Sequence, residues 1–188
     1  MYNKIIFIKS SYKINKKLNK NIEISFIGKS NSGKSSVINA ITNTNISITS
    51  NTPGKTKTIN FFKIKRNYYF TDTPGYGYSK LKKKTLYNIK NLLKNYIISR
   101  KSLTGIILLI SSNNFFKTLD YKIIKSIKQK THILITKCDK ISKKKENKLI
   151  KNTKIYLKKT NITFQIFSIK EKFLINKLKI KIKQFIHL

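Results

Sequence analysis

The chain has 188 residues, of which 40 are lysine, 34 isoleucine and 20 asparagine, and its 42 basic residues against 6 acidic ones give a formal charge of +36. That balance excludes an ordinary near-neutral enzyme surface, because so basic a body must be neutralised by something polyanionic. Intrinsic disorder is excluded as well, since 39% hydrophobic and 11% aromatic residues are too much apolar material for a solvated tail.

Taken in chain order, residues 1–20 hold one apolar cluster, Ile5-Ile6-Phe7-Ile8, and then charge. They read as a basic segment that either adds an edge strand or stays mobile. Residues 21–188 read as one domain, long enough to bury a core. From Ile22 onward, short apolar runs alternate with lysine-rich segments of helical period, the pattern of a parallel sheet with crossover helices. Strands are predicted at Ile22–Ile27, Thr58–Ile64, Asn67–Thr71, Thr104–Ile110, His132–Thr136 and Thr163–Phe167. Helices are predicted at Lys34–Thr42, Lys84–Arg100, Asp120–Lys130, Ser142–Lys159 and Glu171–Ile186. Only Lys65-Arg66 separates the second and third strands, so they pair as an antiparallel hairpin. In the last helix Leu174, Leu178, Ile182 and Phe185 share a stripe, although Lys177–Lys183 also alternates with period two, which leaves a strand as the competing reading there.

The apolar start stops at Lys9, too short for a signal peptide, and the run Gly105–Ile110 is too short to span a membrane. A single cysteine, Cys138, cannot staple the fold and fits a reducing compartment. The expectation is a cytoplasmic monomer with no membrane partner. Lysine, isoleucine and asparagine also share A/T-rich codons, so codon bias is a second source of the charge, compatible with a polyanionic partner.

Gly28-Lys29-Ser30-Asn31-Ser32-Gly33-Lys34-Ser35-Ser36 fits the pattern G-x-x-x-x-G-K-[ST] between a predicted strand and a predicted helix. Glycines let the backbone wrap until several N–H groups point at the same phosphates, and the helix that follows turns its positive end to the anion. Lys34 is expected on the β- and γ-phosphates and Ser35 on magnesium. A Gly-rich turn with chance lysines is the alternative.

Asp72-Thr73-Pro74-Gly75 follows the second hairpin strand, where the carboxylate could hold magnesium through water and the Gly75 N–H could meet a γ-phosphate. An ordinary turn is the bland reading of Thr-Pro-Gly. Thr136-Lys137-Cys138-Asp139 follows another strand. A carboxylate there accepts both N1–H and the exocyclic amine of guanine, whereas adenine has no N1 donor. Asp139 could instead cap the helix at 142–159. Next to the last strand, the loop Ser168-Ile169-Lys170 offers a backbone N–H to guanine O6. Thr56, in Thr52-Pro53-Gly54-Lys55-Thr56, could complete the magnesium shell when GTP orders its loop, or form a plain turn.

The strings GKSNSGKSS (28–36), TPGKTKTINFF (52–62), DTPGYGYSK (72–80), TKCD (136–139) and FSIK (167–170) resemble the EngB (YihA/YsxC) family of ribosome-biogenesis GTP-binding proteins, from Ile22 to the C-terminus. The resemblance implies an α/β, three-layer P-loop GTPase domain. Its sheet would be six-stranded and mostly parallel, with one antiparallel edge hairpin and helices on both faces. It implies GTP or GDP held by residues 28–36, 52–56, 72–75, 136–139 and by Phe167, Ser168 and Ile169, with Lys34, Thr56 and Gly75 serving hydrolysis. Magnesium would be held by Ser35, Thr56 and, through water, Asp72. Asn31 matches an asparagine that supports potassium in some relatives, although it could simply brace the loop. The implied partner is the large ribosomal subunit or its ribosomal RNA.

Three departures stand out. Ser111-Ser112-Asn113-Asn114 replaces an Asp-x-Arg, Ile169 replaces a small residue, and Tyr76 stands where many GTPases carry a water-orienting glutamine. The resemblance implies slow hydrolysis unless activated. A basic RNA-binding protein that binds GTP without turnover, and a P-loop ATPase or kinase, are the competing readings.

Overall fold

A computed structural model of the chain describes residues 5–12, 21–47, 58–77, 82–113, 116 and 118–186. In it the apolar runs assemble into one sheet. Its strands are β1 (Ile6–Ser11), β2 (Ile22–Gly28), β3 (Ile59–Lys65), β4 (Tyr68–Asp72), β5 (Leu103–Ser111), β6 (Lys130–Thr136) and β7 (Thr163–Ile166). The helices are α1 (Lys34–Thr42), α2 (Lys83–Ser99), α3 (Thr118–Ser126), α4 (Lys143–Leu157) and α5 (Lys172–Ile186). The sheet order is β1-β3-β4-β2-β5-β6-β7, and only the two pairings of β3 are antiparallel.

The sheet therefore has seven strands rather than six, and the hairpin is not its edge. The outer edge of β3 would otherwise present a row of unpaired backbone groups. Ile6–Ser11 pairs with it, Phe7 opposite Phe62, and the ring centroids of these two lie 5.8 Å apart. The hairpin loop is Arg66-Asn67, one residue later than the sequence predicts. Asn67 takes φ 67°, a left-handed conformation that asparagine tolerates better than most residues. Helix α3 ends at Ser126 instead of Lys130, because Lys130 pairs with Gly105 as the first residue of β6. Residues 177–183 are helical, and Leu174, Leu178, Ile182 and Phe185 are all buried, so the 3.6-residue period wins over the alternation.

Apolar side chains cover both faces of the sheet. Along β5, Ile106, Leu108 and Ile110 face the cluster that contains Ile89, Leu93 and Ile97 of α2 and Leu157 of α4. Ile107 and Leu109 face Val37, Ile38 and Ile41 of α1 and Leu178 and Ile182 of α5. Strands buried on both faces read as continuous apolar runs, which is why β5 is the most apolar segment of the sequence.

A fully buried ion pair fastens the end of the sheet where the parallel strands begin. Glu23 Oε2 accepts from Arg100 Nε at 2.9 Å, Arg100 Nη2 at 2.8 Å and Ser102 Oγ at 2.9 Å. Its other oxygen accepts from the Tyr96 hydroxyl. Replacing Arg100 by methionine strands a buried carboxylate, and the expected loss is about 3–5 kcal/mol of unfolding free energy in urea. The double variant Glu23→Leu/Arg100→Met should recover much of it, and equal stability of Arg100→Met and the parent would refute the account.

Candidate functional site

The parallel strands β2, β4, β5, β6 and β7 end on one side of the sheet, and the predicted motif residues that the structure describes lie at those strand ends, in the loops that follow them or in the first turn of α1. The loop between β2 and α1 carries residues 28–33. Gly33 caps α1 with φ 92°, and Asn31 has φ 60°. Alternating backbone conformations of this kind turn successive N–H groups inward and make an anion-binding concavity. Lys34, 8% exposed, bends back so that its ammonium donates to the carbonyls of Gly28 at 3.1 Å and Lys29 at 3.0 Å. Ser36 follows in the first turn of α1.

At the end of β4, Asp72 is 1% exposed and its Oδ2 accepts from Ser35 Oγ at 2.8 Å and Ser47 Oγ at 2.9 Å. Its Oδ1 is buried with no hydrogen-bond partner among the described residues. A buried carboxylate oxygen left unsatisfied costs free energy, and a hard, hydrated cation is the partner such an oxygen suits. Ser35 and Asp72 thus fit a magnesium ion held partly through water. Burial pushes the Asp72 carboxyl upward, while the Lys34 charge and the Ser35 and Ser47 hydroxyls pull it back.

Burial also lowers Lys34 to about 8, against the opposing pull of Asp72. The sign follows directly: phosphate oxygens attract the ammonium, and the ammonium is lost as pH rises through 8. Affinity for a nucleoside triphosphate should therefore fall about fourfold between pH 7 and 8.5. Titration with a fluorescent guanine nucleotide checks this, and a flat profile would count against it.

Thr136 and Lys137 brace the phosphate loop from β6. Thr136 Oγ1 donates to the Ser32 carbonyl at 2.8 Å, and Lys137 Nζ donates to the Asn31 carbonyl at 2.7 Å. Asp139 lies at the surface in a short 3-10 turn, Cys138–Lys140, with Lys170 Nζ 3.8 Å from its carboxylate. It does not cap α4: Ser142 does, its Oγ accepting from the Lys145 N–H. The loop after β7 meets this turn, because the Cys138 N–H donates to the Phe167 carbonyl at 3.3 Å. Ser168 is buried, its Oγ accepting from the Lys170 N–H at 3.1 Å, and Ile169 projects into solvent. Ser112, in the segment that replaces Asp-x-Arg, donates to the Lys137 carbonyl at 2.9 Å.

Thr73 Oγ1 donates to the Phe26 carbonyl at 2.8 Å, and buried Pro74 leads into Gly75. The segment then folds onto the phosphate loop: the Ser30 N–H donates to the Tyr76 carbonyl at 3.2 Å, and the Tyr76 N–H donates to the Gly28 carbonyl at 3.4 Å. Tyr76 is 1% exposed and its hydroxyl donates to Asp120 Oδ1 at 2.8 Å. Asp120 also holds Lys29, with Nζ 2.5 Å from Oδ2. Sequence reading placed Asp120 only as the first residue of a helix. The one available signal was a carboxylate in a chain with six of them. Thr52, Pro53, Gly54, Lys55 and Thr56, and residues 78–80, lie outside the described residues.

With this geometry in view, residues 23–140 match the family described as 50S ribosome-binding GTPase. A probable GTP-binding protein EngB of Mycoplasmopsis synoviae is 40% identical over 177 residues, covering 92% of this chain and 95% of its own length. A probable GTP-binding protein EngB of Neisseria meningitidis serogroup C is 37% identical over 155 residues, covering 78% of this chain and 74% of its own. The crystal structure of a probable GTP-binding protein engB superposes with a TM-score of 0.68 at 23% identity, over 87% of this chain and 98% of that one.

Proposed function

The chain belongs to the EngB family of P-loop GTPases, and from that membership we propose that it hydrolyses GTP slowly and acts as a nucleotide-dependent switch in assembly of the large ribosomal subunit. The observation that carries the chemistry is the buried Oδ1 of Asp72, without a hydrogen-bond partner among the described residues, beside Ser35 and Lys34. When bound, magnesium neutralises charge on the β- and γ-phosphates. Ser35 and Thr56 would hold it through their hydroxyls, and Asp72 would do so through a water. Backbone N–H groups of residues 28–36 hold the phosphates, together with the Lys34 ammonium. The Gly75 N–H meets the γ-phosphate, Asp139 reads guanine, and the loop at Phe167-Ser168-Ile169 supplies an N–H to O6.

Slow turnover follows from Tyr76. Its hydroxyl is engaged by Asp120 and buried, so it is not placed to orient an attacking water. Stimulation by potassium rests on Asn31, and equal hydrolysis rates in sodium and potassium salts would remove it. Residues 21–188 serve as the GTPase domain, with residues 1–20 as a basic N-terminal segment, in a monomeric cytoplasmic protein.

The ribosomal partner is supported by the description of the matching family and by the charge of +36. Co-sedimentation with large ribosomal subunits tests it, run across a salt series with GDP and with a non-hydrolysable GTP analogue. Binding that favours one nucleotide and weakens steeply with salt is expected, with a slope of about −9 if ten lysines neutralise duplex phosphates. Equal binding in both nucleotide states would overturn the switch, and salt-insensitive binding would mean that the charge does not serve the contact.

A further inference from the structure

At the end of the sheet away from the phosphate loop, a groove of about 710 Å³ opens between the C-terminal ends of α3 and α4 and the last turns of α5. That volume is of the order of sites that take an organic ligand, roughly 300–1,000 Å³. Lys125, Lys128, Lys130, Lys159 and Lys181 line it, and none of the six carboxylates of the chain does. These five lysines make no ion pair among the described residues. The floor is apolar, with half-buried Ile127, Ile162 and Tyr156 offering the accessible surface; Phe185 lies buried beneath, with Lys181 Nζ 5.5 Å from the centre of its ring. The positive field is felt inside the sheet as well: burial lowers His132 to about 4, and the charges of Lys181 and Lys177 push it further in the same direction.

A cationic rim around an apolar, aromatic floor is what a single-stranded nucleic acid needs, because phosphates pair with the rim and base faces cover the floor. A duplex keeps its base faces stacked and would leave the floor unmatched. We propose that this groove docks an unpaired RNA segment. The proposal rests on the reading that the partner is ribosomal RNA, and it gives that RNA a place separate from the nucleotide site.

The test uses the full chain with GDP bound and a labelled single-stranded oligoribonucleotide of mixed sequence, followed by fluorescence anisotropy. Lys128→Glu/Lys159→Glu in the groove is compared with Lys90→Glu/Lys94→Glu, the same charge change on the exposed side of α2. The groove pair should lose at least about tenfold more affinity than the α2 pair, and its salt slope should shrink by about 1.4, from 0.7 per phosphate contact. GTP affinity should stay within twofold of the parent in both, which reports an intact fold. Equal losses in the two pairs, or an unaffected groove pair, overturn the proposal. Co-sedimentation with large ribosomal subunits separates the two readings. Subunit binding that survives in the groove pair sinks the groove and keeps the partner. Oligonucleotide binding through the groove without subunit binding does the reverse.

Discussion

Asp139→Asn should weaken GTP binding by at least about 10³-fold and make xanthosine triphosphate the preferred ligand. The carboxylate at 139 can accept from N1–H and from the exocyclic amine of guanine together. An asparagine amide turns its own N–H groups towards those donors, or offers a single oxygen, and both arrangements leave polar hydrogens facing one another. Xanthine carries a carbonyl at the corresponding carbon and accepts from the amide. The change should leave the fold intact, because Asp139 is at the surface and α4 takes its cap from Ser142. Its one ion pair among the described residues is the 3.8 Å contact to Lys170, whose side chain is 77% exposed, and such pairs contribute little. Titrations with fluorescent GTP and XTP, with a melting curve as control, decide it. Unchanged GTP affinity would remove Asp139 from the base site and reopen the ATPase reading.

Gly75→Ala should lower single-turnover hydrolysis about 100-fold or more while GTP binding changes far less. A Cβ at position 75 would stand 2.6 Å from the Ser30 Cα and 2.7 Å from the Ser30 nitrogen, distances that backbone atoms do not tolerate. The segment would have to lift from the phosphate loop, breaking the hydrogen bonds between Tyr76 and the backbone of Ser30 and Gly28. The N–H proposed to meet the γ-phosphate moves with it. Lys34, Ser35 and the guanine loops are left in place, so binding survives. Turnover within threefold of the parent would mean that Gly75 serves packing alone.

The two variants divide the site along a physical line. In the proposed site Asp139 would act through hydrogen-bond complementarity to a base, and its effect should appear in affinity. Gly75 allows the close approach of two backbones, and its effect should appear in rate. Lys34 lies between them, since its charge state would enter both, and with burial lowering it to about 8 nucleotide binding should be sensitive to alkaline pH.

Most of the architecture was legible in the amino-acid order. The apolar run at 22–27, the glycine-framed loop and the helix at 34–42 occur in that succession in the structure, and the four-residue stripe of α5 is buried as its period requires. Open alternatives and misplaced boundaries fell where local signals are weak. Ile6–Ser11 is mostly exposed, so no periodicity separated an edge strand from a mobile segment until β3 was there to pair with it. Sequence reading extended α3 too far because lysine-rich segments suit a helix and a connecting loop equally well.

By itself the sequence determined the βα succession, the phosphate loop and the motif strings, because strand alternation, helical period and glycine turns are properties of neighbouring residues. Only the tertiary structure decided which of the scarce acids face which cations. Asp120 meets Lys29 across 91 positions of chain and Tyr76 across 44, and Glu23 meets Arg100 across 77. Those pairings depend on how a twisted sheet brings its strand ends together, and no local pattern encodes them. The same holds for the charge. A count of +36 says that a polyanion is welcome somewhere, whereas packing of α3, α4 and α5 concentrates five lysines around one apolar floor.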